Sequence, residues 1–414
     1  MQYGCIGEKL SHSFSREIHK GLTDYIYELK ELTPDEVGAF LQKKDFKAIN
    51  VTIPYKQTVM PYLDHISDKA RSIGAVNTIV NRDGVLYGYN TDFYGLSLLL
   101  EKNGISLAGK KVLILGSGGT SRTALAVAKE SGAAHVLRLS RTAREGCITY
   151  EEALLRHTDA EVIINTTPCG MFPFAGVSPI DIDAFPHLEA VADAIYNPLC
   201  SELVLSAKAR GLKAAGGLYM LVMQAVKAVE FFLGECPDGK KAEAVYQRLL
   251  QEKQNIVLIG MPSCGKSSVS AALQRLLGRE AVDTDALITE KAGKSIPEIF
   301  AECGERGFRD MESAVIRDLS VKQGLIIATG GGAILREENL RALKANGVLF
   351  FLDRPLEELC ATSDRPLSSE REALERRYRE RYDQYLAAAD VRIPATTALG
   401  VEGTAKAIIK EWNK

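Results

Sequence analysis

No stretch of the sequence holds the roughly 20 consecutive apolar residues that a helical membrane span requires. The opening residues, Met1 to Leu10, also lack the apolar core of a secretory signal. A cytoplasmic protein is therefore expected. Cysteine is sparse. Its eight residues, Cys5, Cys147, Cys169, Cys200, Cys236, Cys264, Cys303 and Cys360, are scattered, with no C-x-x-C pair and no histidine at metal-ligand spacing. This excludes a disulfide framework and a zinc site as organising features, and the thiols read as reduced. A surplus of one charge is missing too. Fifty-one Lys and Arg stand against 53 Asp and Glu, interspersed throughout, for a formal net charge of -2. No basic stripe offers itself to a nucleic acid, so small-molecule substrates are expected as partners, with neither nucleic acid nor membrane. Internal repeats and low-complexity tracts are also absent.

What is present is length and patterned apolar sequence. At 414 residues, 46% of them hydrophobic, the chain exceeds one typical core and fits two or three domains. Two segments, Lys111 to Lys129 and Asn255 to Leu277, each join an apolar β-rich run to a glycine-rich turn and a helical pattern. Each therefore opens its own nucleotide-binding unit. Between them, Gly234 to Gln254 starts with Gly and Pro turn signals and continues as a charged helical connector. The seam is placed near residue 250, dividing the chain into 1–235, a linker 236–253, and 254–414.

An α/β fold class follows for both parts. Strand-like runs Ala48 to Ile53 and Val76 to Val80 alternate with helical stretches, which predicts an α/β substrate lobe over about 1–100. A Rossmann-like dinucleotide lobe is expected over about 101–217, and a P-loop domain with a parallel sheet after the seam. The helix Leu218 to Phe232, extended to 218–233, is expected to return to the first lobe and leave a cleft for the active site.

The run Val112 to Gly116 (VLILG) and the turn Ser117-Gly118-Gly119-Thr120-Ser121 read as a strand entering a helix through G-x-G-x-x-S. Such a turn brings backbone N–H groups and a helix N-terminus to a pyrophosphate, although a tight turn without a ligand would show the same pattern. The next strand, His135 to Leu139, is followed by Ser140-Arg141-Thr142-Ala143-Arg144, where an NAD-binding domain would place a carboxylate. Two guanidiniums and two hydroxyls suit a ribose 2′-phosphate and favour NADP over NAD, solvated loop charges being the alternative.

Three polar clusters mark the first lobe: Ser11-His12-Ser13-Phe14-Ser15, Asn50 to Lys56 (NVTIPYK), and Gly88-Tyr89-Asn90-Thr91-Asp92. Reduction of a ketone needs a proton donor beside the carbonyl oxygen. A Lys next to an Asp can be that donor, and its positive charge stabilises the developing alkoxide.

With GAVNT (Gly74 to Thr78), GSGGTS (Gly116 to Ser121), NTTPCGM (Asn165 to Met171), DAIYNPL (Asp193 to Leu199) and the run Gly217 to Gln224, these clusters make eight motifs in order. Over about residues 1 to 235 the sequence resembles the shikimate dehydrogenase family. The resemblance implies Lys56 and Asp92 as the catalytic pair, with Lys56 as acid/base. It implies Ser13, Ser15, Thr52, Asn77, Tyr196 and Gln224, with that pair, as substrate ligands. Cofactor contacts would come from Gly116, Ser117, Gly118, Gly119, Thr120 and Ser121, from Ser140, Arg141, Thr142 and Arg144, and from Thr166 and Gly217. Two positions depart from the family pattern: Arg16, where Pro is frequent, and Tyr219, where Gly or Pro is frequent.

In the second part, Asn255 to Ser268 (NIVLIGMPSCGKSS) contains G-x-x-x-x-G-K-S after an apolar strand. The loop of Gly260, Ser263, Cys264, Gly265, Lys266, Ser267 and Ser268 would cradle phosphates. In such a loop Lys266 neutralises charge and the Ser267 hydroxyl reaches Mg²⁺. Asp283-Thr284-Asp285 stands at the end of the next strand. One carboxylate can serve the metal shell and the other a substrate hydroxyl. Phe308-Arg309 and the Gly330-Gly331-Gly332 turn add a guanidinium and an exposed backbone donor, a set suited to a small hydroxylated acid.

Over about residues 254 to 395 the sequence resembles the shikimate kinase family. This implies substrate contacts from Asp285, Arg309, Gly331 and Arg381, Arg365 on the lid meeting ATP, and Asp283 near magnesium. Glu312 could orient Arg309. The two resemblances together imply reduction of 3-dehydroshikimate with NADPH, then phosphorylation of shikimate by ATP. A preference for quinate, NAD or another polyol acid is a second reading, and a ligand-binding scaffold without turnover is a third.

Overall fold

The computed structural model describes residues 1–10, 13–359 and 371–413. The chain divides into two compact units, Met1–Leu250 and Gln251–Lys414, and each contains parallel sheet flanked by helices. Among the described residues no helix is long and apolar enough to cross a membrane, and the seven described cysteines are free thiols.

The first unit has two lobes. In the first, strands β1 (Tyr3–Gly7), β2 (Tyr27–Glu31), β3 (Ala48–Val51), β4 (His65–Ile66), β5 (Thr78–Arg82) and β6 (Val85–Tyr89) form a sheet of order β2-β1-β3-β5-β6-β4. β1 pairs in parallel with β2 and β3, whereas β3, β5 and β6 are antiparallel neighbours. Asp83 and Gly84, with φ of 52° and 86°, close the β5–β6 hairpin as the two left-handed residues that such a turn needs. Register does the functional work. Asn50 pairs with Thr78, and Thr78 with Tyr89. The segments leading to Lys56, Asn77 and Asp92 therefore emerge at one sheet edge. Helices α1 (Ser15–Leu22), α2 (Pro34–Lys43) and α3 (Asp68–Ile73) complete this lobe, and α4 (Asp92–Lys102) leaves it.

The second lobe is fully parallel. β7 (Lys111–Leu115), β8 (His135–Ser140), β9 (Ile148–Thr149), β10 (Val162–Asn165), β11 (Ala190–Asp193) and β12 (Lys213–Ala215) run in order β12-β11-β10-β7-β8-β9. β10 and β11 are buried along their whole length, as befits strands covered on both faces by helices α5 (Gly119–Glu130), α6 (Tyr150–Arg156) and α7 (Glu202–Ala209). The strand order reverses between β7 and β10, which opens a crevice at their carboxyl ends.

Helix α8 (Leu218–Leu233) then packs along α4. Its Val222, Val226 and Val229 share a core with Phe14, Ile18 and Leu22 around α1. Contact with α4 is intimate at Gly95, where a Cβ would lie 2.5 Å from the Met220 carbonyl oxygen.

The stretch 236–253, expected as a charged helical linker, forms helix α9 (Gly239–Lys253), and its Ala242, Val245 and Leu249 are buried in that same core. Charge dominates the composition of this helix. Three apolar residues at helical spacing nevertheless suffice to bury one face.

In the second unit β13 (Asn255–Ile259), β14 (Ala281–Asp283), β15 (Ile326–Ala328), β16 (Gly347–Asp353) and β17 (Val391–Pro394) form a parallel sheet of order β14-β15-β13-β16-β17. Its helices are α10 (Lys266–Leu277), α11 (Thr284–Ala292), α12 (Ile296–Ser320), α13 (Glu337–Asn346), α14 (Arg371–Ala388) and α15 (Gly400–Trp412). β13 is buried throughout and ends directly at the glycine loop.

Leu249→Ala is expected to lower the unfolding free energy of the first unit by about 2–4 kcal/mol, the usual cost of a cavity at a buried leucine. Urea denaturation of the full chain measures this. A free tether at this position would leave the transition unmoved.

Candidate active sites

The first site is built on an ion pair. Lys56 follows β3 and Asp92 opens α4, and Lys56 Nζ lies 2.5 Å from Asp92 Oδ2 with side-chain exposures of 12% and 8%. Little water screens such a pair, and the helix N-terminus favours the carboxylate. Asn77 Nδ2 donates to the other carboxylate oxygen, Oδ1, at 2.9 Å. The Asn77 amide is itself fixed because its Oδ1 accepts from the Thr91 backbone N–H at 2.7 Å. Gln224, on α8, accepts through Oε1 from Thr91 Oγ1 at 3.2 Å. The structure thus brings Lys56, Asn77, Asp92 and Gln224 together by direct bonds.

Ser13 and Ser15 are bonded to one another, Oγ to Oγ, at 3.1 Å. Phe14 between them packs on Tyr196, with ring centroids 5.1 Å apart. Burial pushes the Tyr196 phenol up to about 12, so it remains a neutral hydroxyl. Cys5, also pushed up to about 12 by burial, is within electrostatic reach of both Lys56 and Tyr196. Thr52, half-buried at the end of β3, is held by its backbone N–H to the Ile6 carbonyl at 3.0 Å.

The glycine turn of the second lobe lies against Lys56 of this pair. A Cβ on Gly119 would lie 3.3 Å from Lys56 Cβ, whereas one on Gly118 would meet nothing within 4 Å. The turn is therefore closed against Lys56 and open on its other side. Gly116 has φ of +115°, and a Cβ there would lie 2.7 Å from Thr166 Oγ1. Gly217 caps α8, with its N–H donating to the Ile195 carbonyl at 2.7 Å.

Ser121 is buried and Ser117 and Thr120 half-buried. Ser140 is buried at the end of β8. Arg141, Thr142 and Arg144 are exposed, and neither guanidinium has an ion-pair partner among the described residues.

Sequence reasoning named the motif around Asp193 but missed what this residue does. Asp193 Oδ1 accepts from Asn165 Nδ2 at 3.0 Å and from the Ile195 N–H at 2.9 Å, and Oδ2 accepts from Ser201 Oγ at 2.6 Å. It thereby ties the end of β10, which borders the crevice, to the end of neighbouring β11. Burial raises its carboxyl to about 6, against the opposing effect of those bonds. A lone carboxylate ending an apolar strand was the available signal.

Of the two departures, Arg16 is exposed, and Tyr219 has acquired a packing role. Its ring stands edge-on to Tyr246 of α9, centroids 5.0 Å apart, while Lys102 Nζ sits over both rings and pairs with Glu243.

In the second unit the phosphate loop bends through Gly260, Ser263 and Gly265, with φ of +149°, +63° and +99°. Left-handed residues at these three points let the loop curl, the kind of backbone that forms anion-binding concavities. Lys266 opens α10 and is buried, with Nζ donating to the Gly260 and Met261 carbonyls at 2.8 and 2.9 Å. Cys264 is buried against Gly260. Ser268 faces solvent on α10. Ser267 Oγ donates to Asp283 Oδ2 at 2.7 Å, while Asp283 Oδ1 caps α11 by accepting from the Asp285 N–H at 2.9 Å.

A second cluster gathers around the glycine turn after β15. A Cβ on Gly330 would lie 2.6 Å from both Asp285 Oδ1 and Glu312 Oε1, and one on Gly332 would lie 2.2 Å from the Arg309 guanidinium. Only glycine fits between these groups. Arg309 Nη1 and Glu312 Oε2 form a buried ion pair at 2.7 Å. Burial, reinforced by Asp285 and opposed by Arg309, holds the Glu312 carboxyl above its usual range. Arg381 Nη1 donates to the Gly331 carbonyl at 3.3 Å, and the Tyr385 hydroxyl donates to that same oxygen. Tyr385 escaped the sequence reading, although its spacing of four from Arg381 puts both on one helix face. Arg365 lies outside the described residues.

Comparison with known proteins finds two families along the chain. The family model "Shikimate dehydrogenase substrate binding domain" matches residues 5–79, and "Shikimate kinase" matches residues 262–412. The chain is 38% identical over 262 residues to a protein of Clostridium beijerinckii named shikimate dehydrogenase (NADP(+)), covering 59% of this chain and 96% of that one. Among solved structures, shikimate dehydrogenase 1 from Peptoclostridium difficile superposes with a TM-score of 0.56 at 36% identity, covering 60% of this chain and 98% of that chain. Shikimate 5-dehydrogenase from Thermus thermophilus, solved with NADP(H) and shikimate, gives 0.54 at 29% identity, covering 60% and 99%.

The raised Asp193 carboxyl has a signed consequence. Its folded-state value of about 6 lies above the ordinary 3.8, so the protonated group favours folding below about pH 4, and this contribution is lost as pH rises through about 6. Asp193→Asn should therefore gain stability relative to the parent between pH 4 and pH 7.5, by on the order of 2–3 kcal/mol. Urea denaturation at both pH values checks this; a pH-independent difference would dismiss Asp193 as the titrating group.

Proposed function

The chain belongs to the shikimate dehydrogenase family over its first unit and carries a shikimate kinase domain in its second, and from that premise we propose that it catalyses two consecutive steps. The first is reduction of 3-dehydroshikimate to shikimate with NADPH. The second is phosphorylation of shikimate to shikimate 3-phosphate with ATP, on the route to chorismate and the aromatic amino acids. The observation that carries the first activity is the Lys56–Asp92 pair lying against Gly119 of the glycine turn. A proton donor and a bound dinucleotide are thereby brought to one place.

We assign 1–100 with α8 to substrate and about 101–217 to the dinucleotide. The residues fit NADP(H): an open Gly118 at the start of α5 for the pyrophosphate, Thr166 and Gly217 at the crevice, and the exposed Arg141 and Arg144 beside Ser140 and Thr142 for a 2′-phosphate. When bound, NADPH supplies the hydride to the ketone carbon. Lys56 donates a proton to the ketone oxygen as it becomes a hydroxyl, and its charge stabilises the oxygen meanwhile. Asp92 keeps Lys56 placed and accepts from a substrate hydroxyl. Asn77, Gln224 and Thr52 take further hydroxyls, while Ser13, Ser15 and Tyr196 supply O–H donors for the carboxylate.

In the second unit the phosphate loop fits ATP, which supplies the phosphoryl group. Mg²⁺ would be held by Ser267 and Asp283, whose oxygens already face one another. No group of three or more His, Cys, Asp or Glu among the described residues could hold a metal, so phosphate oxygens and water would complete the shell. Lys266 offsets phosphate charge. Arg309 and Arg381 hold the substrate carboxylate beside Gly331, and Asp285 accepts the proton of the attacking hydroxyl. The proximity of Asp285, Arg309 and Arg381 to one glycine turn supports this assignment.

Lys56→Ala should lower the reduction rate at least about 100-fold while sparing phosphorylation, and Lys266→Ala should do the reverse. Coupled assays of each step on both variants test this. Loss of kinase activity in Lys56→Ala with reduction intact would refute the allocation of sites. Arg141→Ala should raise KM for NADPH about 10-fold or more and leave KM for NADH nearly unchanged, because a guanidinium–phosphate contact is charge-assisted. Equal effects on both cofactors would refute a 2′-phosphate role.

A further inference from the structure

One carbonyl oxygen in the second unit accepts two donors of different kinds. Gly331 O receives the Tyr385 hydroxyl and, at 3.3 Å, Arg381 Nη1. Tyr385 is fully buried and stacks on Phe351, centroids 5.2 Å apart with rings 8° from parallel. Its hydroxyl is therefore held in place by packing. Gly331 itself is wedged on its other side against Pro262 of the phosphate loop, where a Cβ would lie 2.9 Å from Pro262 Cδ. Gly331 therefore has little room on the Pro262 side.

The proposed function asks Arg381 to grip a carboxylate. An end-on fork uses both Nη1 and Nη2, and Nη1 is the atom committed to Gly331. If Arg381 were the only donor to that buried carbonyl, binding the acid would strand an unsatisfied acceptor, which is costly. Tyr385 removes the conflict.

We propose that Tyr385 is a positioning residue for the kinase reaction: by holding the Gly331 carbonyl it releases the Arg381 guanidinium to the substrate carboxylate. This rests on the reading of Arg381 as a carboxylate ligand. In this reading the phenol needs no contact of its own with substrate or phosphate. It acts through Gly331 and Arg381, so its influence falls on the affinity for the acid and not on the nucleotide. Burial raises the phenol above its ordinary range, which keeps it a donor at any pH at which the enzyme works.

The test uses the full chain carrying Tyr385→Phe, Arg381→Ala and both together, with KM for shikimate and for ATP measured separately and thermal unfolding recorded for each. Tyr385→Phe keeps the ring and its stacking. It should raise KM for shikimate about 10-fold, the usual consequence of one buried polar group left unpaired, while KM for ATP and kcat stay within about twofold. In the Arg381→Ala background Tyr385→Phe should add little to KM for shikimate, because the competition is already gone. Equal rises in both KM values, a fall in melting temperature with KM unmoved, or additive effects in the double variant would each overturn the proposal. If Arg381→Ala itself leaves KM for shikimate unchanged, it is the carboxylate reading that fails. If Arg381→Ala raises KM and Tyr385→Phe does not, only the inference about Tyr385 fails.

Discussion

Strand register is the constraint on which both candidate sites rest. Strands hydrogen-bonded in parallel register must all end on the same edge, so whatever follows each strand is delivered to one side of the sheet. In the second unit Asp283 pairs with Ala328, and Leu258 with Ala328 on the other side. The phosphate loop, the Asp283–Asp285 carboxylates and the glycine turn at 330–332 consequently converge, though up to about 70 residues separate them in sequence. The crevice of the second lobe arises in the same way from β7 and β10, and Asp193 on β11 fastens the β10 end. The first lobe reaches an equivalent result by a mixed sheet, because antiparallel β5 begins where β3 ends.

Convergence at an edge demands space, and glycine provides it. Gly332 and Gly330 pass between charged groups that any side chain would strike, and Gly119 lets the dinucleotide turn settle against Lys56. The charged groups at these points are paired: Lys56 with Asp92, and Arg309 with Glu312. Buried charges are tolerated only with such partners. The proposed reactions use the same pairs, so the requirement for stability and the requirement for chemistry fall on the same atoms.

Sequence patterns made much of this legible. The two strand–turn–helix units, the run of first-lobe motifs and the phosphate loop all rest on local chemistry, in which a few neighbouring residues fix the backbone. Residues that act through distant partners were harder to read. Asp193 and Tyr385 have no distinctive neighbours, and their roles appear only when β10 meets β11 or α14 meets the glycine turn. Residues 236–253 carry the sequence of a charged helical linker, in which three apolar residues spaced for one helix face do not stand out. The helix became part of a core only because α1 and α8 present a surface for those residues to cover. Tyr219 gains its meaning in the same place, from Tyr246 and Lys102.

By itself, then, the sequence determined two α/β units, a dinucleotide turn with arginines after its second strand, a phosphate loop, and the identity of the groups able to do chemistry. Local backbone preference and short motifs suffice for these, because each is decided within a dozen or so residues. Tertiary structure alone decided that Lys56 would sit 2.5 Å from Asp92 and against Gly119. It alone decided that α9 would belong to the first core, and that one carbonyl at Gly331 would be shared between Arg381 and Tyr385. Those outcomes depend on strand register and helix packing, which bring together residues with no relation along the chain.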